Sequence, residues 1–372
     1  MAQTSHSTTN AARPKKYFGA YKPPLAELPN LVAPQLASFA WLREQGLKEV
    51  FSEFSSIKDY SGKKFELDFT GFKITEPKYD EFYAKQNKLS YEAPLKVTVR
   101  LRNKIVGSVK EQEIFMADLP LQTQHGTFII AGIERVIVPQ LARSFGVFFT
   151  ADELKGKKYF GAKIIPARGA WIEIETDVDG AFYVRIDRKR KFPATALLRI
   201  LGAQSEKEVF ELFAAHPTAR MHLVASCAKD HAKTTEEAYI EIHKRLRDGE
   251  IGSVENAKEF IRSIFEPERY DLSKVGRFRF NKRFGKPMDE KALLRRTVSL
   301  DDCVTILAHI AELQNTSGSR EDDIDHLGSR RVRFVGELFQ QKIRVGLAQM
   351  KRNIQDRMST VESDVTLPDK FI

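Results

Sequence analysis

Two hydrophobic periodicities are kept apart along this chain, and that separation constrains the fold more than any other feature. Period-two alternation fills residues 65–138, in stretches such as "FELDF" and "LKVTVRL", and returns in "AKIIPARGAWIEIETDVDGAFYVRID" (162–187). Helical spacing occupies the rest. Strand-like and helical stretches within two successive units read as an α+β chain of two mixed α/β domains. In "LVAPQLASFAWLREQGLKEVFSEF" (31–54), Leu36, Phe39, Trp41, Leu42, Leu47, Val50, Phe51 and Phe54 recur at intervals that suit an amphipathic helix interrupted near Gly46. "GTFIIAGIERVIV" reads as two short strands joined at Ala131-Gly132, within a mixed sheet flanked by helices. A second unit starts near Gly146, with meander turns at Arg168-Gly169 and Asp179-Gly180. Helices are then expected over 193–202, 234–247, 254–265 and 299–314, the last with Ser299 as N-cap and two acids in its first turn. A final helix over about 336–358 aligns Ile343, Leu347, Met350, Ile354 and Met358, whereas residues 1–16 read as a flexible tail.

The 372 residues give room for two or three cores, and 42% apolar content excludes global disorder. A net charge of +10 favours a polyanionic partner, because clustered Lys and Arg release counterions from phosphates. Two cysteines, Cys227 and Cys303, imply no disulfide framework and suit a reducing cytoplasm. The N-terminus lacks the apolar segment of a signal peptide, and no run reaches the ~18 apolar residues of a spanning helix. Walker-type loops, G-x-S-x-G elbows and H-E-x-x-H motifs are missing. The neighbouring acids Asp301/Asp302 and Asp322/Asp323 point different ways on a helix and suit capping or solvation better than metal binding. Of His216, His222, Cys227 and His231, only the Cys227–His231 interval fits zinc spacing.

Three basic clusters remain. "RIDRKRKFPATALLR" carries Arg185, Arg188, Lys189, Arg190, Lys191 and Arg199. "SKVGRFRFNKRFGK" interleaves Lys274, Arg277, Arg279, Lys282, Arg283 and Lys286 with Phe278, Phe280 and Phe284, which suits a strand, either with a nucleic-acid face or as an ordinary amphipathic edge. "DDIDHLGSRRVRF" sets Asp322, Asp323 and Asp325 against Arg330, Arg331 and Arg333. Carboxylates accept from base edges and arginines donate to guanine or phosphate, so the two groups can read an unpaired base; an internal salt-bridge network is the alternative, and the one the bare sequence favours. Trp171 beside arginines makes a stacking platform if exposed, although its periodicity favours a core position.

These residues resemble the N-terminal third of the bacterial DNA-directed RNA polymerase beta subunit. The resemblance runs from about residue 25 to the end and is strongest in "KEQEIFMADLPLQTQHGTFIIAGIERVIVPQLARSFGVFF", "AKIIPARGAWIEIE", "VRIDRKRKFPATALLR", "YDLSKVGRFRFNKR" and "DDIDHLGSRRVRFVGEL". It implies a tail at 1–24, a first part of the protrusion at 25–135, a lobe at 136–327 and a return segment toward the protrusion at 328–372, incomplete at the C-terminus. It further implies a subunit fragment of a nucleotidyltransferase, cytoplasmic and non-catalytic by itself, whose partners are the beta-prime, alpha and sigma subunits and promoter and template DNA, with no membrane. No cofactor is expected on this chain, because the family's catalytic Mg²⁺ is held by beta-prime. In the family this region walls the DNA cleft near the downstream edge of the bubble. The position of Trp171 stacks an unpaired non-template base; those of Arg143, Ile324, Asp325 and Arg330 form a pocket for a flipped guanine; Val138 edges the rifamycin pocket. The alternative is a stand-alone nucleic-acid-binding protein of the same fold. Ala131 stands where the family has Asn, Pro139 and Ser329 where it has Ser and Asn, and Phe145 and Phe334 where it has Pro and Ser.

Overall fold

In the computed structural model, which describes residues 29–247, 249, 252–361 and 367–372, the first helical segment folds as α1 (Ala33–Trp41) and α2 (Leu47–Phe54). The expected tail at 1–24 lies outside the described residues. Leu42–Gly46 joins the helices as a π-helical turn, so the interruption at Gly46 is a local unwinding rather than a break. It leaves Phe39, Leu42, Leu47, Val50 and Phe51 buried along one side.

That side packs on an antiparallel sheet of β1 (Ile57–Lys58), β2 (Phe65–Ile74), β3 (Glu92–Asn103) and β4 (Ser108–Pro120), in sequence order, with α3 (Glu81–Gln86) between β2 and β3. The mixed sheet expected from the alternation is therefore wholly antiparallel, since every strand pairs with its neighbour in sequence and no crossover is needed. Leu95, Val97, Val99 and Leu101 of β3 face the core, while Lys96 and Arg100 on the opposite face pair with Glu113 and Glu111 of β4. β5 (Phe128–Ile130) and β6 (Ile133–Arg135) form the expected hairpin, with positive φ at both Ala131 (50°) and Gly132 (78°).

After β7 (Gln140–Arg143), a five-stranded antiparallel meander follows: β8 (Gly146–Leu154), β9 (Lys157–Ile165), β10 (Ile172–Thr176), β11 (Phe182–Ile186) and β12 (Phe192–Pro193). Its inward residues, among them Phe149, Ile164, Ile174 and Val184, are covered by helices. These are α4 (Ala194–Leu201), α5 (Glu206–Leu212), α6 (Pro217–Lys229), α7 (Thr235–Leu246), α8 (Val254–Phe265), α9 (Ser273–Arg283) and, after the short α10 (Glu290–Leu293), which buries no residue, α11 (Leu300–Asn315). Ser299 caps α11 in a reciprocal capping box with Asp302. The Arg-Phe alternation expected as a strand is instead α9. Helical spacing brings Arg277, Phe280 and Phe284 to one side, where Arg277 reaches Asp302 through two hydrogen bonds of 2.8 and 2.9 Å.

The chain returns through β13 (Arg330–Arg333) and α12 (Val335–Thr360). Val335, Leu347, Ile354, Met358 and Phe371 enter the first core, so that core joins both ends of the described chain and the intervening residues build the second. No side chain of α12 caps its own N-terminus; the N–H of Val335 donates to Gln35 Oε1 (3.1 Å) and that of Gly336 to Ser38 Oγ (3.0 Å), both on α1. Between the cores, the Glu53 carboxylate forms an ion pair with Arg168 (2.7 Å) and accepts a hydrogen bond from Arg344 of α12 (3.0 Å). Among the described residues no helix is long and apolar enough to cross a membrane. The architecture is α+β, as expected.

Candidate nucleic-acid interface

β13 pairs antiparallel with β7, placing Arg330 opposite Arg143, Arg331 opposite Ala142, Val332 opposite Leu141 and Arg333 opposite Gln140. Opposed residues share a face, so this ribbon has two different sides. Arg331 and Arg333 lie on one; Arg143, Arg330, Leu141 and Val332 lie on the other.

The ribbon borders a groove of about 1040 Å³ between the two cores. Ser38, Trp41 and Glu49 line it from the first helical segment, Ile165–Gly169 and Trp171 from the meander, and Arg331, Arg333, Phe334 and Glu337 from the return segment. Arg331 donates to both Glu337 oxygens, one at 2.6 Å, and its guanidinium lies 4.1 Å from the centre of the Phe145 ring. Arg333 reaches the same carboxylate at 3.2 Å. Burial pushes the Glu337 carboxyl upward, but the hydrogen bond and charge of Arg331, with those of Arg333, outweigh it and hold the group below its ordinary value. These two arginines are thus braced on one acid. They set the shape and positive lining of the groove rather than waiting free for a ligand.

Trp171 is half-exposed at the rim, against the core position its periodicity favoured. Gly169 explains this: with φ of 109° it lets the backbone pass so close to Arg269 and Tyr270 that a Cβ would lie 2.9 Å from each. The corner ends before β10, leaving Trp171 outside the buried register that begins at Ile172. Its N–H donates to Asp187 Oδ1 (3.0 Å), its carbonyl accepts from the Asp187 N–H (2.9 Å), and the Arg188 guanidinium sits 5.6 Å from its ring centre.

Of the other expected residues, Arg143 lines the groove, is exposed, and makes no hydrogen bond or ion pair with any described residue. Arg330 and Asp325 pair with each other at the end of the ribbon, outside the groove lining; the Asp325 side chain is 84% exposed. Ile324 is half-buried just before them, and Val138 is exposed ahead of β7. The structure therefore brings Trp171 and Arg143 to one groove and sets Arg330 directly across from Arg143, leaving Asp325 on the far side of Arg330.

Much of the remaining basic sequence is internal bracing. Arg199 is buried against Asp230, which also accepts from Thr195 (2.5 Å) and the N–H of Ala232 (3.0 Å), so it leaves the candidate surface. Arg277 leaves it for the same reason. Arg283 binds Asp322 (2.6 Å), whose carboxylate also accepts from the N–H of Phe149 (2.8 Å). Asp323 accepts from the N–H groups of Asp325 and His326 (2.9 and 3.1 Å). Within the acid–arginine stretch, then, Asp322, Arg331 and Arg333 are held in internal salt bridges, as the bare sequence favoured, but with Arg283 and Glu337 rather than with one another. The same bonds commit Asp302 and Asp322 to arginines rather than to metal. Cys227 is buried and burial pushes its thiol up to about 11, while His222 Nδ1 lies 2.7 Å from the Gly180 carbonyl; among the described residues no three His, Cys, Asp or Glu side chains cluster to hold a metal. The sequence reading missed Glu53 and Glu337, which look like solvated helix acids until their arginine partners are in place.

Residues 143–333 match the model of the family described as RNA polymerase Rpb2, domain 2. The chain is also similar to the DNA-directed RNA polymerase subunit beta of Chloroflexus aggregans, with 42% identity over 377 aligned residues, covering 93% of this chain. It spans 31% of that relative's length. The family match runs from Arg143, the last residue of β7, to Arg333, the last residue of β13, and so takes in the Arg143–Arg330 pair, the meander and its helices; on these grounds the chain belongs to the RNA polymerase Rpb2 domain 2 family.

Proposed function

We propose that this chain is part of a DNA-directed RNA polymerase, that it walls the DNA cleft, and that it contacts the unpaired non-template strand near the downstream edge of the transcription bubble. The observation that carries the reading is the open groove with Trp171 half-exposed at its rim and Arg143 unpaired beside it. An aromatic platform next to free cationic charge suits a single strand, whose bases stack while its phosphates are neutralised. Fully paired duplex presents no free base face to Trp171.

Asp325 and Arg330 suit a flipped guanine in the same reading. The Watson–Crick edge of guanine carries two donors, which the carboxylate accepts, and an oxygen that accepts from the guanidinium. The exposed pair contributes only about 0–1 kcal/mol by itself, so exchanging it for a base is inexpensive. Arg143 across the ribbon and half-buried Ile324 complete the pocket, and Val138 edges the neighbouring rifamycin site. The two cores correspond in this reading to protrusion and lobe: 25–135 with the return segment 328–372 for the first, 136–327 for the second. Template-directed nucleotidyl transfer by two-metal chemistry belongs to the assembled cytoplasmic enzyme, with beta-prime holding Mg²⁺ and alpha and sigma as further partners.

Trp171→Ala in reconstituted polymerase tests this. Loss of stacking is expected to weaken the strand contact by about 1–3 kcal/mol, shortening open-complex lifetime and shifting start-site choice. An unchanged lifetime together with unchanged start sites contradicts the assignment.

A further inference from the structure

The corner between β11 and β12 breaks a local rule. The N–H of Lys189 donates to the carbonyl of Ile186 (3.1 Å), which closes a tight turn whose two central residues, Asp187 and Arg188, both have positive φ (50° and 59°). Turns of this kind favour Asn or Asp followed by Gly, because only Gly adopts the second position without strain. Asp187 fits the pattern. Arg188 does not, and an arginine held in the left-handed region is uncommon and unfavourable.

What the arrangement achieves is placement. Asp187 is clamped to the backbone of Trp171 by two reciprocal hydrogen bonds, which fixes the corner beside the indole. Arg188 then lies over the Trp171 ring, exposed, with no carboxylate partner among the described residues. The guanidinium gains only a weak cation–π attraction from an exposed ring and keeps its donors unused. Glycine would relieve the backbone at this position but could not deliver that charge. Local strain that the fold offsets only through this weak ring contact points to a role in binding.

We propose that Arg188 is the phosphate clamp of the Trp171 platform: when a base stacks on the indole, the guanidinium gives up the ring and neutralises the backbone phosphate of that nucleotide. The proposal rests on the single-strand reading of the groove. Stacking alone carries no salt dependence, whereas each phosphate neutralised on a single strand steepens the dependence of log affinity on log salt by about 0.7. Arg188 and Trp171 therefore leave different signatures.

The test uses the full chain carrying Trp41→Phe, so that Trp171 is its sole tryptophan, titrated with a single-stranded oligodeoxynucleotide at several salt concentrations. The parent is expected to show quenching of Trp171 with a salt-dependent affinity. Arg188→Ala and Arg188→Gly should retain the quenching but lose about 0.7 from the salt slope, so that their deficit against the parent narrows by about 2.6-fold between 50 and 200 mM salt. Arg188→Gly should also melt at a higher temperature than its parent, which separates binding from folding. An unchanged salt slope in both variants overturns the clamp while leaving the strand reading intact. A higher slope, or an Arg188→Gly variant that melts lower, overturns it as well. Absence of any quenching or binding in the parent overturns the groove reading and the clamp together.

Discussion

Replacing Gly336 by Ala should destabilise this protein, although the same substitution ten residues further along the same helix should stabilise it. Gly336 is buried where α12 begins against α1. An added Cβ would meet Ser38 Oγ at 2.8 Å and the Ser38 carbonyl carbon at 2.9 Å, with the carbonyl oxygen closer still. Backbone cannot swing aside as a side-chain tip can, so α1 and α12 must separate. Overpacking of this kind costs about 1–3 kcal/mol. Separation also stretches the bonds from Val335 to Gln35 and from Gly336 to Ser38, each worth about 0.5–1.5 kcal/mol. Against this stands a helix-propensity gain that is small so near the N-terminus, leaving a net loss of about 2–4 kcal/mol. At Gly346 nothing lies within 4 Å of the added Cβ, and the gain of about 0.5–1 kcal/mol is unopposed. The assay is thermal unfolding followed by Trp41 fluorescence in a Trp171→Phe background, which reports the first core. Gly336→Ala should lower the midpoint by about 4–16 °C and Gly346→Ala should raise it slightly. Two variants that move in the same direction, or a Gly336→Ala protein as stable as its parent, would refute the packing argument.

Three other outcomes follow from the same geometry. Ala131→Asn should raise the melting temperature, because Asn tolerates the positive φ of the β5–β6 turn better than Ala; Gly132→Ala should lower it, since its Cβ would lie 2.7 Å from Lys88 Cα. Asp302→Ala should cost about 3–5 kcal/mol by urea titration because Arg277 is left buried and unpaired, whereas Arg277→Met with Asp302→Leu should recover most of the loss. Burial raises the Asp59 carboxyl, but hydrogen bonds from Ser61 and from the N–H groups of Phe65, Lys64 and Ser61 outweigh it and lower the group from 3.8 to about 2. Its stabilisation is therefore complete above about pH 4 and lost as pH falls through about 2, and Asp59→Asn should flatten the stability profile across that window.

What could be read from residues alone was what depends on near neighbours. The unwinding at Gly46, the Ala131-Gly132 hairpin, the Gly169 and Gly180 turns and the Ser299 cap all follow from patterns a few residues long. The α9 segment misled because Arg and Phe alternating about Gly276 satisfy period two, whereas the contact that decides between strand and helix is Arg277 with Asp302, 25 residues away. Arg199 was placed on the surface for the same reason: its partner Asp230 lies 31 positions on. The close approach at Gly336 is to a segment 298 residues earlier, beyond the reach of any local pattern. At the groove, residue types identified the chemistry, but only tertiary pairing showed that Arg331 and Arg333 are braced by Glu337 while Arg143 is left unpaired.

The central question is whether the groove takes melted strand in preference to paired duplex. The direct measurement is the affinity of the full chain for a duplex with a central unpaired bubble against the same duplex fully paired, at two salt concentrations, with and without Trp171→Ala. Tighter binding to the bubble, with a preference that the substitution lowers by about 1–3 kcal/mol, is the predicted result. Equal affinity for both duplexes, unmoved by the loss of Trp171, would contradict it.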